Sequence, residues 1–334
     1  MSEIDSNSID LIITSPPYPM IEMWDNLFSS QDRRIKKALE DQNGKLAFEL
    51  MHEKLNRVWN ESIRTLKDGG IICINIGDAT RKIGDTFQLF PNHVKVSQFF
   101  QDNDCIALPL ILWRKPTNSP TKFMGSGMLP SNAYVTLEHE YILIFRKGKL
   151  KRKFKPKSEK RYHSAFFWEE RNKWFSDVWR DIKGVSQSLE NNNGLRERSG
   201  AFPLELPYRL INMFSIYGDT ILDPFWGTGT TSLASMILAR NSFGFEINKE
   251  FMNIFESNIK NIKKTTKEIY QKRLKKHVHF ITKFSNEKKI KYTSQNYKFP
   301  VITSQEQDIL FYSIKKILKN KHNYSITHQK VKFP

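Results

Sequence analysis

The chain has 334 residues, of which 39% are hydrophobic and 13% aromatic, so it can bury a sizeable core and is not a disordered chain. Its 53 Lys and Arg residues outnumber 35 Asp and Glu residues, and the net charge of +18 favours a polyanionic partner, either nucleic acid or an anionic membrane face. We expect no membrane span, because the apolar runs are only as long as a strand. We also expect no signal peptide, because the N-terminus has neither the positively charged segment nor the apolar segment of one. Two cysteines alone, Cys73 and Cys105, exclude a disulfide framework and a cysteine-rich zinc module, and we expect buried, inert thiols in a reducing cytoplasm.

The apolar pattern predicts strands and helices that alternate along the chain. Strands are predicted at Ile9–Thr14, Gly70–Ile76, Leu108–Trp113, Glu140–Phe145, Thr220–Leu222 and Phe243–Ile247. Helices are predicted at Lys45–Leu66, Leu204–Tyr217 and Ser232–Ala239. This alternation is typical of an α/β fold with a mostly parallel twisted sheet flanked by helices, in which ligands bind at the carboxyl ends of the strands.

A rigid turn, Ser15-Pro16-Pro17-Tyr18, follows the first predicted strand. The two prolines fix φ and lack amide donors, which leaves carbonyl oxygens free to point outward. The Ser15 hydroxyl and the Pro16 carbonyl can accept hydrogen bonds from a planar group that carries an amine, and the Tyr18 ring can stack on that group. On these residues alone, a plain proline turn is an equally good interpretation.

A glycine-rich turn, Asp223–Thr231, follows the fifth predicted strand. Gly227 and Gly229 permit tight turns and the close approach of a ligand, toward which the next helix directs its first amide groups. Because the Gly-Lys-Ser/Thr ending of a phosphate loop is missing, phosphate binding is not favoured. Glu246, in the next predicted strand, can accept hydrogen bonds from ribose hydroxyls, although an ordinary charged residue at a strand end is the alternative.

The excess positive charge is concentrated in two stretches. Residues 146–161 form a basic run that is followed by aromatic-rich His163–Trp179, a combination that suits phosphate neutralisation and base stacking. For the aromatic residues alone, a small hydrophobic core is the favoured interpretation. The second stretch, residues 265–334, is either an extra DNA clamp or a basic tail, and His277–Phe284 is its one strand-like segment.

Together these motifs resemble the amino-group DNA methyltransferases that use S-adenosylmethionine. Ser15–Tyr18 is similar to their catalytic (D/N/S)-P-P-(Y/F) motif, and Asp223–Thr231 is similar to their cofactor motif. Further segments resemble other motifs of the family: Leu66–Gly70, Trp113–Pro116, His139–Lys147, Asp177–Trp179 and Ser199–Leu206. The catalytic motif precedes the cofactor motif, as in the permuted class β. The resemblance therefore implies a permuted Rossmann-like fold with an inserted target-recognition region. Because the chain begins almost at the catalytic strand, we expect a neighbouring strand from the C-terminal side.

The resemblance also implies a division of the chain and a role for each site residue. It implies a catalytic half at 1–147, a target-recognition region at 148–198, a cofactor-binding half at 199–264 and a basic extension at 265–334. The implied catalytic residues are Ser15, Pro16, Pro17 and Tyr18. The implied cofactor residues are Asp223 (for the methionine amine), Phe202 and Phe225 (lining the pocket), Gly227, Gly229, Thr230 and Glu246. The implied DNA-binding residues are Lys151, Arg152, Lys153, Lys155, Lys157 and Arg161.

Serine at position 15 implies methylation of cytosine at N4, because the adenine-N6 enzymes of the family more often carry Asp or Asn there. The alternatives are an adenine-N6 methyltransferase of the same fold and an inactive DNA-binding specificity partner. The implied partners are S-adenosyl-L-methionine, double-stranded DNA and a cognate restriction endonuclease. We expect a monomer or homodimer that needs no metal.

Overall fold

The protein is described by a computed structural model that covers residues 1–115, 124–184, 202–285, 290–321 and 323–333. Its strands are β1 (Ile9–Thr14), β2 (Leu66–Ile76), β3 (Ala79–Ile83), β4 (Thr86–Phe90), β5 (Cys105–Arg114), β6 (Met124–Gly125), β7 (Ala133–Tyr134), β8 (His139–Lys147), β9 (Val178–Trp179), β10 (Thr220–Asp223), β11 (Asn241–Gly244), β12 (Tyr292–Thr293), β13 (Pro300–Val301), β14 (Tyr312–Asn320) and β15 (Asn323–Lys330). Its helices are α1 (Asp25–Gln31), α2 (Arg33–Glu40), α3 (Gly44–Thr65), α4 (Asn92–Asp102), α5 (Glu159–His163), α6 (Trp168–Trp174), α7 (Glu205–Phe214), α8 (Thr230–Ile237) and α9 (Glu250–Ser285).

Seven strands form the central sheet, in the order β11-β10-β1-β2-β8-β5-β9. All neighbouring strands are parallel except β8, which runs antiparallel to both β2 and β5. The carboxyl ends of β1, β2, β5 and β10 therefore lie at the same edge of the sheet as the first residues of β8. We call this the carboxyl edge and the opposite side the amino edge. The predicted mostly parallel sheet is confirmed.

Helices cover both faces of the sheet, because apolar side chains point to both sides of its central strands. Ile12 packs with Trp59 of α3 in one hydrophobic cluster, whereas its neighbours Leu11 and Ile13 belong to a second cluster on the other face, with residues of α7 and α8. This alternation along β1 is the two-residue period of a strand buried on both sides. The two clusters hold the connecting turns at the carboxyl edge in place.

The C-terminal region is folded, and the predicted strand at His277–Phe284 is wrong. These residues belong to α9, a helix of 36 residues. Within α9 the buried residues Tyr270, Leu274, His277 and Ile281 recur at intervals of three and four, which is the spacing of one helix face. Taken by themselves, the aromatic and β-branched residues of 277–284 are typical of a strand. The buried residues of α9 nevertheless keep helical spacing through this segment, and it is helical. The strands that pair with β1 are β10 and β2, so residues 277–284 do not supply its neighbour.

Residues 265–333 are also more than a basic tail, because they share a third hydrophobic cluster with the aromatic-rich segment. Phe167 lies in this cluster with Tyr270, Leu274 and Phe311. Arg273 of α9 donates hydrogen bonds to both carboxylate oxygens of Glu170, at 2.5 and 2.8 Å. The aromatic-rich segment therefore serves largely as core, as favoured from the sequence.

Neither cysteine forms a disulfide, and the helices of the described residues contain no membrane span. Cys73 and Cys105 are buried free thiols, and burial raises the pKa of both, that of Cys105 to about 11. Among the described residues, no helix combines the length and apolarity needed to span a bilayer.

Candidate active site

The two turns singled out in the sequence meet in one pocket at the carboxyl edge. Ser15 follows β1, and the glycine-rich turn follows the adjacent strand β10. The pocket is lined by Ser15, Phe202, Asp223, Phe225, Trp226, Gly227, Thr228 and Thr230. Most of the predicted cofactor residues thus lie together with the first residue of the predicted catalytic motif. Residues 199–201, which precede Phe202 in the motif, lie outside the described part of the chain.

Asp223 is a buried carboxylate held at the end of β10 by three hydrogen bonds. Its Oδ1 accepts from Thr14 Oγ1 at 2.7 Å and from the Phe225 amide at 3.1 Å, and its Oδ2 accepts from Thr231 Oγ1 at 2.7 Å. Burial raises the pKa of Asp223 to about 6, although the two threonine hydroxyls counteract this shift. A carboxylate offers about four acceptor positions, so Asp223 retains the capacity to receive an N–H from a cation in the pocket.

The glycine-rich turn is built around the indole of Trp226. Gly227 and Gly229 have positive φ angles of 53° and 75°, a conformation that glycine adopts without strain. A Cβ atom at Gly229 would lie 2.6 Å from the Trp226 ring, and one at Gly244 would lie 1.9 Å from it. The indole nitrogen donates to Ser232 Oγ at 2.8 Å. Gly229 and Gly244 therefore leave space for an aromatic ring that fixes the start of α8.

Glu246 follows β11 and connects it to the glycine-rich turn. Its Oε2 accepts from the Gly227 amide and its Oε1 from the Asn248 amide, both at 2.8 Å. The predicted strand Phe243–Ile247 ends earlier, at Gly244, so Glu246 lies in the loop beyond it. Each carboxylate oxygen retains an acceptor position, and the role of Glu246 toward a ribose stays a prediction.

The proline turn Ser15–Tyr18, the predicted catalytic motif, carries a hydrogen-bonded chain of side chains. Ser15 Oγ lies 3.1 Å from the Tyr18 hydroxyl, which donates to Glu140 Oε2 at 2.9 Å. Asn75 Nδ2 donates to the Tyr18 oxygen at 2.9 Å and to the same Glu140 oxygen at 2.6 Å. Lys115 Nζ donates to the other carboxylate oxygen of Glu140. Pro16 is buried, while Ser15 and Tyr18 are half-buried, and Ser15 lines the pocket.

Sequence reasoning did not single out Asn75, Lys115 or Glu140. Asn75 and Glu140 fall inside predicted strands, and Lys115 closely follows another, where polar residues carry no signal of their own. The antiparallel direction of β8 brings Glu140, its second residue, to the carboxyl edge opposite Trp113 of β5. Two signals were available: Lys115 and Glu140 fall in segments that resemble family motifs, and Glu140 is an acidic residue at the start of a predicted strand.

A buried asparagine connects the segment after the proline turn to the end of β2. Asn92 Nδ2 donates to the Pro19 carbonyl at 3.1 Å and to the Gly77 carbonyl at 3.0 Å. Its Oδ1 lies 3.0 Å from His52 Nε2. Burial lowers the pKa of His52 to about 4, so this histidine is neutral near pH 7 and Nε2–H is the donor. Asn92 thereby fixes the distance between two turns that belong to different strands.

The predicted DNA-binding run is not at the carboxyl edge. Its backbone packs against Gly69 at the start of β2, where an added Cβ would lie 2.7 Å from the Arg152 amide nitrogen. Arg152 itself forms ion pairs with Asp219 at 2.6 Å and Asp10 at 3.4 Å, both near the first residues of their strands. The part of β2 that pairs with β8 has six residues, and the five steps between them, at about 3.3 Å each, separate the two edges by roughly 17 Å.

The other members of the run are surface residues on this amino edge. The exposed ones are Lys151, Lys153, Lys155, Lys157 and Arg161. Arg161 and Arg152 both lie over the ring of Phe154, at 4.7 and 4.9 Å from its centre. Their contact with DNA stays a prediction, as do the domain boundaries and the assignment of 148–198 to target recognition, a region whose residues 185–198 lie outside the described chain.

Comparison with known proteins agrees with this geometry. The model of the DNA methylase family, which covers N6 and N4 methyltransferases, matches residues 9–257. The chain belongs to this family. Among its relatives, the type II methyltransferase M.MthZI of Methanothermobacter thermautotrophicus is 54% identical over 326 residues, which is 97% of this chain and 90% of the relative. The type II methyltransferase M.MjaI of Methanocaldococcus jannaschii is 53% identical over 270 residues, 78% of this chain and 88% of the relative.

A solved structure has the same architecture. A putative DNA modification methylase from Thermus thermophilus, in complex with S-adenosyl-L-methionine, superposes with a TM-score of 0.61 at 28% identity, covering 78% of this chain and 89% of the other. The protein is thus a DNA methyltransferase of the N4/N6 family, and the predicted family and fold are confirmed.

Proposed function

We propose that this methyltransferase transfers a methyl group from S-adenosyl-L-methionine to the N4 amino group of a cytosine in double-stranded DNA. The observation that carries the proposal is the presence of Ser15 in the pocket that also holds Asp223 and the glycine-rich turn. Serine at this position is associated with cytosine N4 in enzymes that resemble this one. A hydroxyl also suits an amino group, because it can accept an N–H without carrying charge.

The pocket fits the cofactor by the chemistry of its lining. Asp223 is a buried carboxylate with spare acceptor capacity, which suits the ammonium of the methionine part. Phe202, Phe225 and Trp226 provide apolar rings on the same pocket, which suit an adenine and a cationic sulfonium. When it is bound, the cofactor supplies a methyl group that its sulfonium already activates.

The chain's own residues act on the amine. The exocyclic amine of cytosine is a poor nucleophile, because its lone pair is delocalised into the ring. Hydrogen bonds from the amine to Ser15 Oγ and to the Pro16 carbonyl would localise that lone pair and orient it toward the methyl group. No cysteine nucleophile is required, since Cys73 and Cys105 are buried and burial raises the pKa of both thiols. Catalysis is then mainly positioning and electrostatic stabilisation.

The target base has to leave the duplex to reach Ser15, because the amine of a stacked base is not accessible to a pocket at a sheet edge. Flipping costs a few kcal/mol. The ring of Tyr18 would recover part of it by stacking, worth about 1–3 kcal/mol. The duplex would therefore lie across the carboxyl edge, where Lys82 and Arg114 are 63% and 54% exposed.

The identity of the base is tested by product analysis. DNA from an unmethylated host is incubated with the protein and labelled cofactor, digested to nucleosides and separated by chromatography with mass detection. We expect the deoxynucleoside of N4-methylcytosine as the labelled product. Label in N6-methyladenine instead would establish the alternative adenine-N6 activity and overturn the cytosine assignment.

The inactive alternative is tested by calorimetric titration with S-adenosyl-L-methionine. The glycine turn is intact, with Gly227 and Gly229 in left-handed conformations and Asp223 hydrogen-bonded at the end of β10. We therefore expect saturable binding to one site. Absence of binding would favour a DNA-binding partner without catalytic activity.

The side of the protein that binds DNA is tested by two matched sets of variants. We expect Lys82→Gln with Arg114→Gln, at the carboxyl edge, to weaken duplex binding and to reduce its salt dependence. Lys151→Gln with Lys153→Gln, at the amino edge, tests the predicted basic run in the same assay. A loss confined to the second pair would contradict the proposed position of the duplex. The cytoplasmic location, the cognate endonuclease and the oligomeric state stay predictions.

A further inference from the structure

The donor and the acceptor of each hydrogen bond at the Tyr18 hydroxyl can be assigned from the chemistry of its three partners. Glu140, as a carboxylate, can only accept, so the single Tyr18 proton points to its Oε2 at 2.9 Å. Asn75 Nδ2 is a donor and fills one acceptor position of the Tyr18 oxygen at 2.9 Å. The Ser15 hydroxyl, 3.1 Å from the same oxygen, must therefore be the donor of that pair. Asn75 Nδ2 also lies 3.5 Å from Ser15 Oγ and faces one of its lone pairs, which leaves the other for a donor in the pocket.

The protonation state of Tyr18 agrees with this direction. Burial and the charge of Glu140 raise the pKa of Tyr18 well above its usual value, so the phenol keeps its proton at any working pH. Lys115 binds the second oxygen of Glu140 and compensates its charge, while its ammonium also lies 4.5 Å from the centre of the Trp113 ring. Glu140 is 14% exposed, and a carboxylate this buried needs such a partner.

The backbone of Gly77 holds both partners in place. A Cβ at this position would lie 3.0 Å from Tyr18 Cε2 and 3.4 Å from Glu140 Cγ, so the glycine backbone packs against both side chains. Register also fixes Glu140, which lies opposite Trp113 in the antiparallel pair of β5 and β8. The direction of the hydrogen bonds is therefore set by a rigid part of the sheet.

We infer that Glu140 is a positioning residue for methyl transfer: it directs the Tyr18 proton to itself, and Ser15 Oγ is thereby kept as an acceptor for the amino group of the target base. The inference rests on the proposed function, because it concerns transfer to an amine. It assigns to Glu140 no contact with the base or the cofactor. Its effect passes through two hydroxyl groups.

Glu140→Gln tests the inference with a nearly isosteric change. The glutamine amide can donate to Tyr18, whose proton can then turn to Ser15 and occupy the acceptor that the amine needs. With plasmid DNA from an unmethylated host and tritiated cofactor, we expect kcat to fall about 10²-fold, the scale of one lost transition-state hydrogen bond, while KM for DNA and the cofactor Kd change less than about twofold. Glu268→Gln is the matched control, an exposed acid of α9 that pairs with Lys264, and it should leave kcat unchanged.

A double-mutant cycle with Tyr18→Phe separates positioning from a structural role. Tyr18→Phe retains the ring and removes the hydroxyl that links Glu140 to Ser15, so it should lower kcat to a similar extent. The double variant should be no slower than either single variant, because both break the same chain. Multiplying losses, or a Glu140→Gln enzyme with wild-type kcat, would overturn the inference. If wild-type protein methylates no amino group, the proposed function fails instead.

Discussion

The raised pKa of Asp223 makes cofactor binding depend on pH in a predictable direction. Its carboxylate titrates at about 6 in the free protein because it is buried, and it has to be ionised to receive the ammonium of S-adenosyl-L-methionine. At pH 7 about nine-tenths of the protein carries the ionised form, whereas at pH 5 only about one-tenth does. The apparent Kd should therefore rise about tenfold between pH 7 and pH 5, or about 1.4 kcal/mol.

Isothermal titration calorimetry at pH 5, 6 and 7 measures this directly. The charges of the ligand do not confound the range, because an α-amino group titrates at about 7.7–8.0 and an α-carboxyl at about 3.3–3.7. Circular dichroism at each pH confirms that the protein stays folded. Asp223→Asn is the control: it should bind more weakly at every pH and lose the pH dependence.

Two results would refute the reasoning about Asp223. One is a Kd that changes less than about twofold between pH 7 and pH 5 in folded protein. The other is an Asp223→Asn variant that retains the tenfold change, since the titrating group would then lie elsewhere. Either result would show that ionisation of the Asp223 carboxylate does not control binding of the cofactor's ammonium.

Three further substitutions test the packing that supports the site. Gly244→Ala places a Cβ 1.9 Å from the Trp226 ring and should lower the free energy of unfolding by about 1–3 kcal/mol and weaken cofactor binding, measured by urea titration and calorimetry. Asn92→Ala leaves two buried carbonyls and a histidine donor without partners, and should cost about 2–3 kcal/mol in urea titration and lower kcat by misplacing the turn. Arg152→Met removes the guanidinium that pairs with two buried carboxylates and should cost about 3 kcal/mol at pH 7, with little effect on kcat.

Matched variants make these outcomes specific. Gly184→Ala is the control for added volume, because no atom of the described residues lies within 4 Å of its Cβ, and it should change neither stability nor binding. Lys151→Met, which removes an exposed neighbour of Arg152, should leave stability within about 0.5 kcal/mol. Stability losses as large in the controls as in the test variants would contradict the packing arguments.

Much of the fold could be predicted because its signals are local. The buried strands β1 and β2 and the helix after residue 44 follow from apolar runs and helical spacing over short windows. The two turns were also evident, because proline restricts the backbone to one range of φ and glycine permits positive φ angles. The rule that ligands bind at the carboxyl ends of parallel strands was then enough to bring Ser15 and Asp223 together.

The secondary-structure prediction was wrong where a short run of residues is compatible with both a strand and a helix. Residues 277–284 contain the aromatic and β-branched residues of a strand, but their buried positions continue the helical period of α9. The DNA-binding role of the basic run stays a prediction, because it was based on charge, on the aromatic residues that follow and on the family resemblance, none of which specifies an edge of the sheet. Its position follows from the direction of β8, which ends at the amino edge and begins the run there.

The sequence alone was enough to predict most of the central strands, the two turns and the family, because each depends on residues that are neighbours along the chain. Tertiary structure alone decided which side chains meet at Tyr18. Asn75, Lys115 and Glu140 come from three different strands or their ends, and they converge because β8 is antiparallel in an otherwise parallel sheet. Whether a strand runs parallel or antiparallel depends on the strands it pairs with, and it cannot be read from the residues of that strand alone.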